Sequence, residues 1–175
     1  MTPHLRAIVS VSLVILLWQV SVLAAEQSKL APVPEQILAA KKVFIANAGG
    51  DERWDENPIF NGGPLRAYNE FYAAVKDAGR YEIVGSPADA ELLFEIGLTA
   101  PVLSRGWYDP QFRLVIRDPK TNALLWAFTE HVQMAVLREN RERNFEKTMA
   151  KIISDLQGLS ASSNNANGPQ VPANH

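Results

Sequence analysis

Three segments in the middle of the chain alternate between apolar and polar residues, and this pattern constrains the fold most. The segments are 90–98, 111–118 and 124–132, and their apolar positions are Leu92, Phe94, Ile96, Leu98, Phe112, Leu114, Ile116, Leu124, Trp126, Phe128 and Val132. Because successive side chains of a strand point to opposite faces, the alternation predicts β-strands with one buried face. The turn residues 118–122 between the last two segments predict a hairpin.

Two further strands and two helices follow from local patterns. Lys42–Ala46 and Tyr81–Val84 are short runs of β-favouring residues that end at turn formers. Apolar residues recur at three- and four-residue spacing from Pro64 to Gly79 and again from Asn140 to Gly158. That spacing predicts amphipathic helices with one apolar face each.

The predicted order is β-α-β-β-β-β-α, which indicates an α+β two-layer sandwich. We expect a mostly antiparallel sheet with two helices covering one of its faces. The segment 26–41 is predicted as an extended lead-in that includes a short helical turn, and 42–159 as a single domain. The tail, 160–175, holds many turn formers and one large apolar residue, which predicts disorder.

Residues 1–25 have the order of a secretory signal peptide. Arg6 supplies a positive charge, residues 7–22 are almost entirely apolar, and Ala24 and Ala25 are small residues suited to cleavage. The sequence therefore predicts an exported protein, periplasmic or secreted. A retained membrane anchor is the alternative, since roughly 20 apolar residues suffice to cross a bilayer.

Composition excludes several classes of function. The chain contains no cysteine, so disulfides, thiolate metal sites and a lipid-bearing cysteine are excluded. Its formal net charge is -2 and no dense cluster of Lys and Arg occurs, which argues against nucleic-acid binding. At 175 residues the chain has room for one ordinary domain.

No residue pattern predicts catalysis, a metal site or a cofactor. The acids at 51–56 lack the alternating spacing of a calcium-binding loop, and a solvated loop explains them. Tyr72 and Lys76 have the spacing of a short-chain dehydrogenase pair, but the glycine-rich dinucleotide fingerprint is missing. His131 stands alone on the polar side of a predicted strand, without a Gly-x-Ser-x-Gly turn elsewhere in the sequence.

The segment 99–110, between two predicted strands, holds the residues most suited to a protein interface. Arg105, Trp107 and Tyr108 are of the types that most often anchor such interfaces. The alternative is that Trp107 and Tyr108 fold back over the sheet edge and complete the core. The sequence leaves these two interpretations open.

Four short phrases follow the predicted strands and turns in order: Val43 to Asn47, Arg80 to Val84, Ala88 to Leu92, and Val115 to Pro119. This layout, over about residues 42–159, resembles the small bacterial envelope domains of the TolB amino-terminal and CsgG-like group. The resemblance implies action through protein contacts and no catalytic residue. This chain lacks the lipid-bearing cysteine found in many members of that group.

These observations together predict a non-catalytic module that binds another protein of the cell envelope through a sheet face, a sheet edge or the Trp107 loop. A membrane contact is expected only if the amino-terminal segment is retained as an anchor. The alternative function is a small-ligand carrier or a hydrolytic enzyme that uses the loop 47–63, because ligand sites often lie at the carboxyl ends of strands.

Overall fold

The protein is described by a computed structural model over residues 31–50, 59–103 and 107–166, with side chains described up to 159. By its contacts the chain divides into residues 1–32 and 33–175, and nearly all described residues belong to the second unit. In chain order the elements are α1 (Glu35–Ala39), β1 (Lys42–Gly50), α2 (Arg66–Ala78), β2 (Glu82–Ile83), a 3-10 turn (Pro87–Asp89), β3 (Leu92–Thr99), β4 (Gln111–Arg117), β5 (Leu124–His131) and α3 (Arg138–Ala166). The predicted signal segment, 1–25, lies outside the described residues.

The five strands described form one open mixed sheet in the order β2-β1-β3-β4-β5. Strand β1 runs parallel to both β2 and β3, whereas the β3–β4 and β4–β5 pairs are antiparallel. The β1–β2 pair can be parallel because α2 carries the chain back between these two strands. The predicted α+β class is confirmed, and the antiparallel pairs are the longer ones.

Helices α2 and α3 supply the apolar cover that the alternating strands require. Burial alternates along β1, β3 and β4, so that every second side chain of these strands packs against the helices. Phe94 and Phe112 from the sheet meet Phe71 and Phe145 from the helices, with ring centroids 6.4 Å and 4.8 Å apart in the two pairs. The other fully buried side chains of this core are Ile37, Leu92, Ile96, Leu114, Ile116, Ile152, Val43 and Val132.

The opposite face of the sheet carries both apolar and charged side chains. Val115 is buried in its centre, and Leu93 beside it is half-buried. Arg117 donates from Nε to the carboxylate of Glu95 at 2.9 Å across the β3–β4 pair. The mixed character expected from the sequence is therefore present on this face.

Helix α1 attaches the predicted lead-in to the domain. Ile37 is fully buried, and the side chain of Gln36 donates to the carbonyl of Glu91 at 3.1 Å. The Glu91 carboxylate accepts the backbone amides of Lys41 and Lys42 at 2.5 Å and 3.0 Å. These backbone hydrogen bonds lower the pKa of Glu91, because they stabilise its ionised form.

Helix α3 extends beyond the predicted end of the domain at 159. It ends at Ala166, so 160–166, expected at the start of a disordered tail, are helical. Beyond Arg138 the sequence reaches a Gly-Pro pair only at Gly168 and Pro169, so no proline interrupts the helix before that point. Within the described part of the chain, no helix is both long enough and apolar enough to cross a membrane.

Candidate protein-binding site

The connection between β3 and β4 forms an arm, defined here as residues 100–110. Val102 and Tyr108 pair across it as an antiparallel bridge. The amide of Leu103 donates to the carbonyl of Trp107 at 2.6 Å, and the amide of Asp109 to that of Pro101 at 3.0 Å. The described part of the arm thus prolongs the β3–β4 hairpin. Residues 104–106, which include the predicted contact residue Arg105, lie outside the described residues.

The arm exposes large apolar side chains. The exposed fractions are 66% for Trp107, 42% for Tyr108, 47% for Val102 and 53% for Leu103. Trp107 and Tyr108 therefore do not fold back to complete the core, which settles the question that the sequence left open about their packing. Val102 and Leu103 extend the apolar surface beyond the residues predicted from the sequence.

Hydrogen bonds at the base of the arm fix the direction in which it leaves the sheet. Asp109 accepts a hydrogen bond from Gln111 Nε2 at 2.6 Å, and its other carboxylate oxygen lies 2.8 Å from His131 Nδ1 on β5. The His131 contact, followed by the Gln111 bond, lowers the pKa of Asp109 because both favour the carboxylate. Pro110, next to these groups, is buried.

Substitution of Asp109 with Ala is expected to loosen the arm without unfolding the domain. The variant loses both side-chain bonds at the base, while Asp109 contributes nothing to the apolar core. Hydrogen exchange at neutral pH should show several-fold faster exchange of the Leu103 and Asp109 amides and unchanged exchange in β3 and β4. Unchanged exchange in the arm would mean that its backbone bonds alone hold it.

Acid should loosen the arm of the unmodified protein in the same way. Because the folded-state pKa of Asp109 lies below its unfolded value, its contribution is fully present above the ordinary carboxyl pKa, about 3.9. That contribution is lost as the pH falls through the lower, folded-state pKa. Exchange protection of the arm, corrected for the intrinsic rate, should therefore fall in this acid range and should depend much less on pH in Asp109→Ala.

Other exposed apolar residues lie at the same end of the sheet as the arm. Strands β1, β3 and β5 all run toward this end, so the described residues that follow them lie at the same end of the sheet. Seven of the eight large exposed apolar side chains in the described residues belong to these segments, and we call them the apolar end: Leu65, Val102, Leu103, Trp107, Tyr108, Val136 and Leu137. The eighth, Leu124, begins β5 at the other end.

A cluster around Arg66 holds the starts of α2 and α3 together near the apolar end. The guanidinium of Arg66 lies 3.9 Å from the ring centroid of Phe145 and donates hydrogen bonds to Glu70 at 2.5 Å and to Glu142. Glu142 also accepts the amide of Asn61 at 2.9 Å. Burial lowers the pKa of Arg66, but the hydrogen bonds to Glu70 and Glu142 outweigh it and raise the pKa above its ordinary value.

The residues weighed as catalytic candidates have structural surroundings. His131 and Asp109 form an acid–imidazole pair, but within the described residues Nε2 of His131 has no hydrogen-bond partner that could serve as a nucleophile. Tyr72 packs against the core and against Tyr68, with ring centroids 6.0 Å apart. No group of three or more acidic or imidazole side chains that could hold a metal occurs among the residues that the structure describes.

The loop 47–63 of the alternative function is described only at its two ends. Asn47 accepts the amide of Gly49 at 2.9 Å, and at Gly50 an added Cβ would lie 2.9 Å from the carbonyl oxygen of Leu98. The acids at 51–56 lie outside the described residues.

A cleft of about 370 Å³ is present, but it lies at the opposite end of the sheet, between α1 and the β4–β5 turn. The ligand-binding alternative therefore stays a prediction.

Comparison with solved structures gives a weak likeness in fold. No protein-family model matches the sequence. No curated protein matches it either. A solved dodecamer of a PelC variant from Paraburkholderia phytofirmans is similar, with 15% sequence identity and a TM-score of 0.44 over 67% of this chain and 87% of that chain. The resemblance to the TolB amino-terminal and CsgG-like group stays a prediction.

Proposed function

We propose that this protein is an exported, non-catalytic module that binds another protein of the bacterial cell envelope through its apolar end. The observation that carries the proposal is the arm, whose backbone is hydrogen-bonded while Val102, Leu103, Trp107 and Tyr108 remain exposed. An ordered backbone that presents large apolar side chains to solvent is a pre-organised binding surface.

The chemistry of the apolar end suits a protein partner. Trp and Tyr dominate the binding energy of protein interfaces because they bury large areas and lose little side-chain freedom. Asp109 and His131 form a polar margin beside them, as expected for the rim of an interface. The resemblance to the TolB amino-terminal and CsgG-like domains, which implies action through protein contacts, supports the same class of partner.

The export part of the proposal rests on the amino-terminal sequence. Residues 1–25 have the charge, apolar run and small-residue exit of a signal peptide. Mass spectrometry of the chain isolated from its native cells should find a mature start at Ala25 or Glu26. An intact Met1 would contradict cleavage and would favour a membrane anchor.

Site-specific photo-cross-linking in native cells tests the binding part of the proposal. A photoreactive residue in place of Trp107 should give one recurrent adduct with an envelope protein. The matched control carries the same residue in place of Leu124, which is 55% exposed but lies at the other end of the sheet. Equal adducts with that envelope protein at both positions, or none at Trp107, would contradict binding through the apolar end, whereas an adduct with a second copy of the chain at position 124 would not.

A further inference from the structure

Strand β5 forms a long open edge of the sheet. Among the described residues it pairs with β4 alone, whereas the other edge strand, β2, has only two residues. An edge of eight residues without Pro or Lys has few of the features by which proteins block strand pairing. Strand β5 is therefore the edge that can accept another strand.

The hydrogen-bond pattern shows which backbone groups of β5 face outward. The amide of Val132 donates to the carbonyl of Pro110 at 2.7 Å, and the register continues through Glu130 opposite Phe112 and Phe128 opposite Leu114. In an antiparallel sheet, residue pairs alternate between those that are hydrogen-bonded to each other and those that are not. The residues of β5 that lie between its hydrogen-bonded positions therefore direct their amides and carbonyls away from β4. These residues are Leu125, Ala127, Thr129 and His131.

The side chains of β5 that face the helices are incompletely covered. Trp126 and Phe128 are half-buried, although Ile116 and Leu114, their partners on β4, are fully buried on the same face. The difference arises because no strand lies beyond β5 in the described part of the chain. A further strand would cover both aromatic rings.

We infer that β5 pairs with β5 of a second copy of this chain, antiparallel and centred on Ala127. This register joins outward backbone groups to outward groups, and it places Trp126 opposite the partner's Phe128 on the helix-facing side. The two ionisable residues of the strand, Glu130 and His131, lie at one of its ends. Antiparallel pairing therefore keeps like charges apart, which a parallel arrangement would not do.

This pairing makes one sheet of two copies, related by a two-fold axis perpendicular to it. The two β5 strands run in opposite directions, so the two apolar ends face opposite ways. A dimer of this kind could hold two partner proteins at once. The inference does not rest on the proposed function, because β5 pairing uses none of the seven residues of the apolar end.

Single cysteines test the pairing cleanly because the chain has none of its own. In Ala127→Cys the two Cα atoms would be about 5.5 Å apart, within the range for a disulfide. Thr129→Cys is the matched control, since it is exposed on the same face of the same strand. In the Thr129→Cys dimer the two cysteines would be separated by four residues along the paired strands, about 13 Å. This distance is too long for a disulfide.

The full chain, isolated from its expressing cells, should sediment as a dimer. Mild oxidation should cross-link most of the Ala127→Cys protein and little of the Thr129→Cys protein. Ala127→Lys and Ala127→Glu should each shift the chain to monomer, and mixing them should restore dimers, with circular dichroism confirming that both fold. A wild-type monomer at about 100 μM, equal cross-linking of the two cysteine variants, or no recovery on mixing would overturn the inference.

Discussion

Replacing Trp107 and Tyr108 together with Ala is expected to weaken binding of the cross-linked envelope partner about 100-fold or more. Each hot-spot aromatic contributes about 2 kcal/mol or more, and every 1.4 kcal/mol is roughly tenfold in affinity. The fold should be unaffected, because the two side chains are 66% and 42% exposed and exposed substitutions change stability by about 0.5 kcal/mol or less. Calorimetric titration of the purified partner with both proteins measures the effect.

Leu124→Ala is the matched control for this double variant. It removes a similarly exposed apolar side chain from the opposite end of the sheet and should leave the affinity unchanged. If the double variant binds normally, the arm is not the contact surface. If it binds weakly but also loses several kcal/mol of stability, the aromatic residues belong to the fold.

Substitution of Phe145 with Ala should remove about 3–5 kcal/mol from the free energy of unfolding, as is typical for a buried aromatic residue. Phe145 is fully buried on α3 and contacts Phe60 and Phe112, with ring centroids 5.2 Å and 4.8 Å away. The variant also loses the contact between the Phe145 ring and the guanidinium of Arg66, which lies 3.9 Å from the ring centroid. Urea unfolding followed by circular dichroism measures the loss.

Phe145→Leu is the companion variant, because it keeps most of the buried volume but removes the ring contacts. Its loss should be well below that of Phe145→Ala. A loss below about 1 kcal/mol for Phe145→Ala would show that α3 does not depend on this residue for its packing. The helix face assigned to the core would then be wrong.

Periodicity was sufficient to predict three strands of the sheet and the two longer helices, and short runs of β-favouring residues predicted the other two strands. The alternation at 90–98, 111–118 and 124–132 corresponds to β3, β4 and β5, because β3 and β4 bury one face and β5 partly buries the same face. The strand order could not be predicted. It depends on β1 inserting between β2 and β3, and that long-range pairing leaves no mark in local spacing.

The candidate site was predictable only in part. Trp107 and Tyr108 were identified by residue type, but their exposure follows from the hydrogen bonds of Leu103 and Asp109, which residue type does not reveal. Val136 and Leu137 escaped prediction because they lie outside the periodic segments, whereas Leu65 belongs to the predicted helix 64–79 but sits at the N-cap of α2 and is exposed. The topology places all three at the same end of the sheet as the arm, because β1, β3 and β5 run in the same direction.

Hydrogen exchange of the protein, free and bound to its cross-linked partner, locates the contact surface directly. Binding through the apolar end should slow exchange in 99–110 and 132–138 and leave 118–124, at the opposite end of the sheet, unchanged. Slower exchange at 118–124, with unaltered exchange in the arm, would contradict binding through the apolar end.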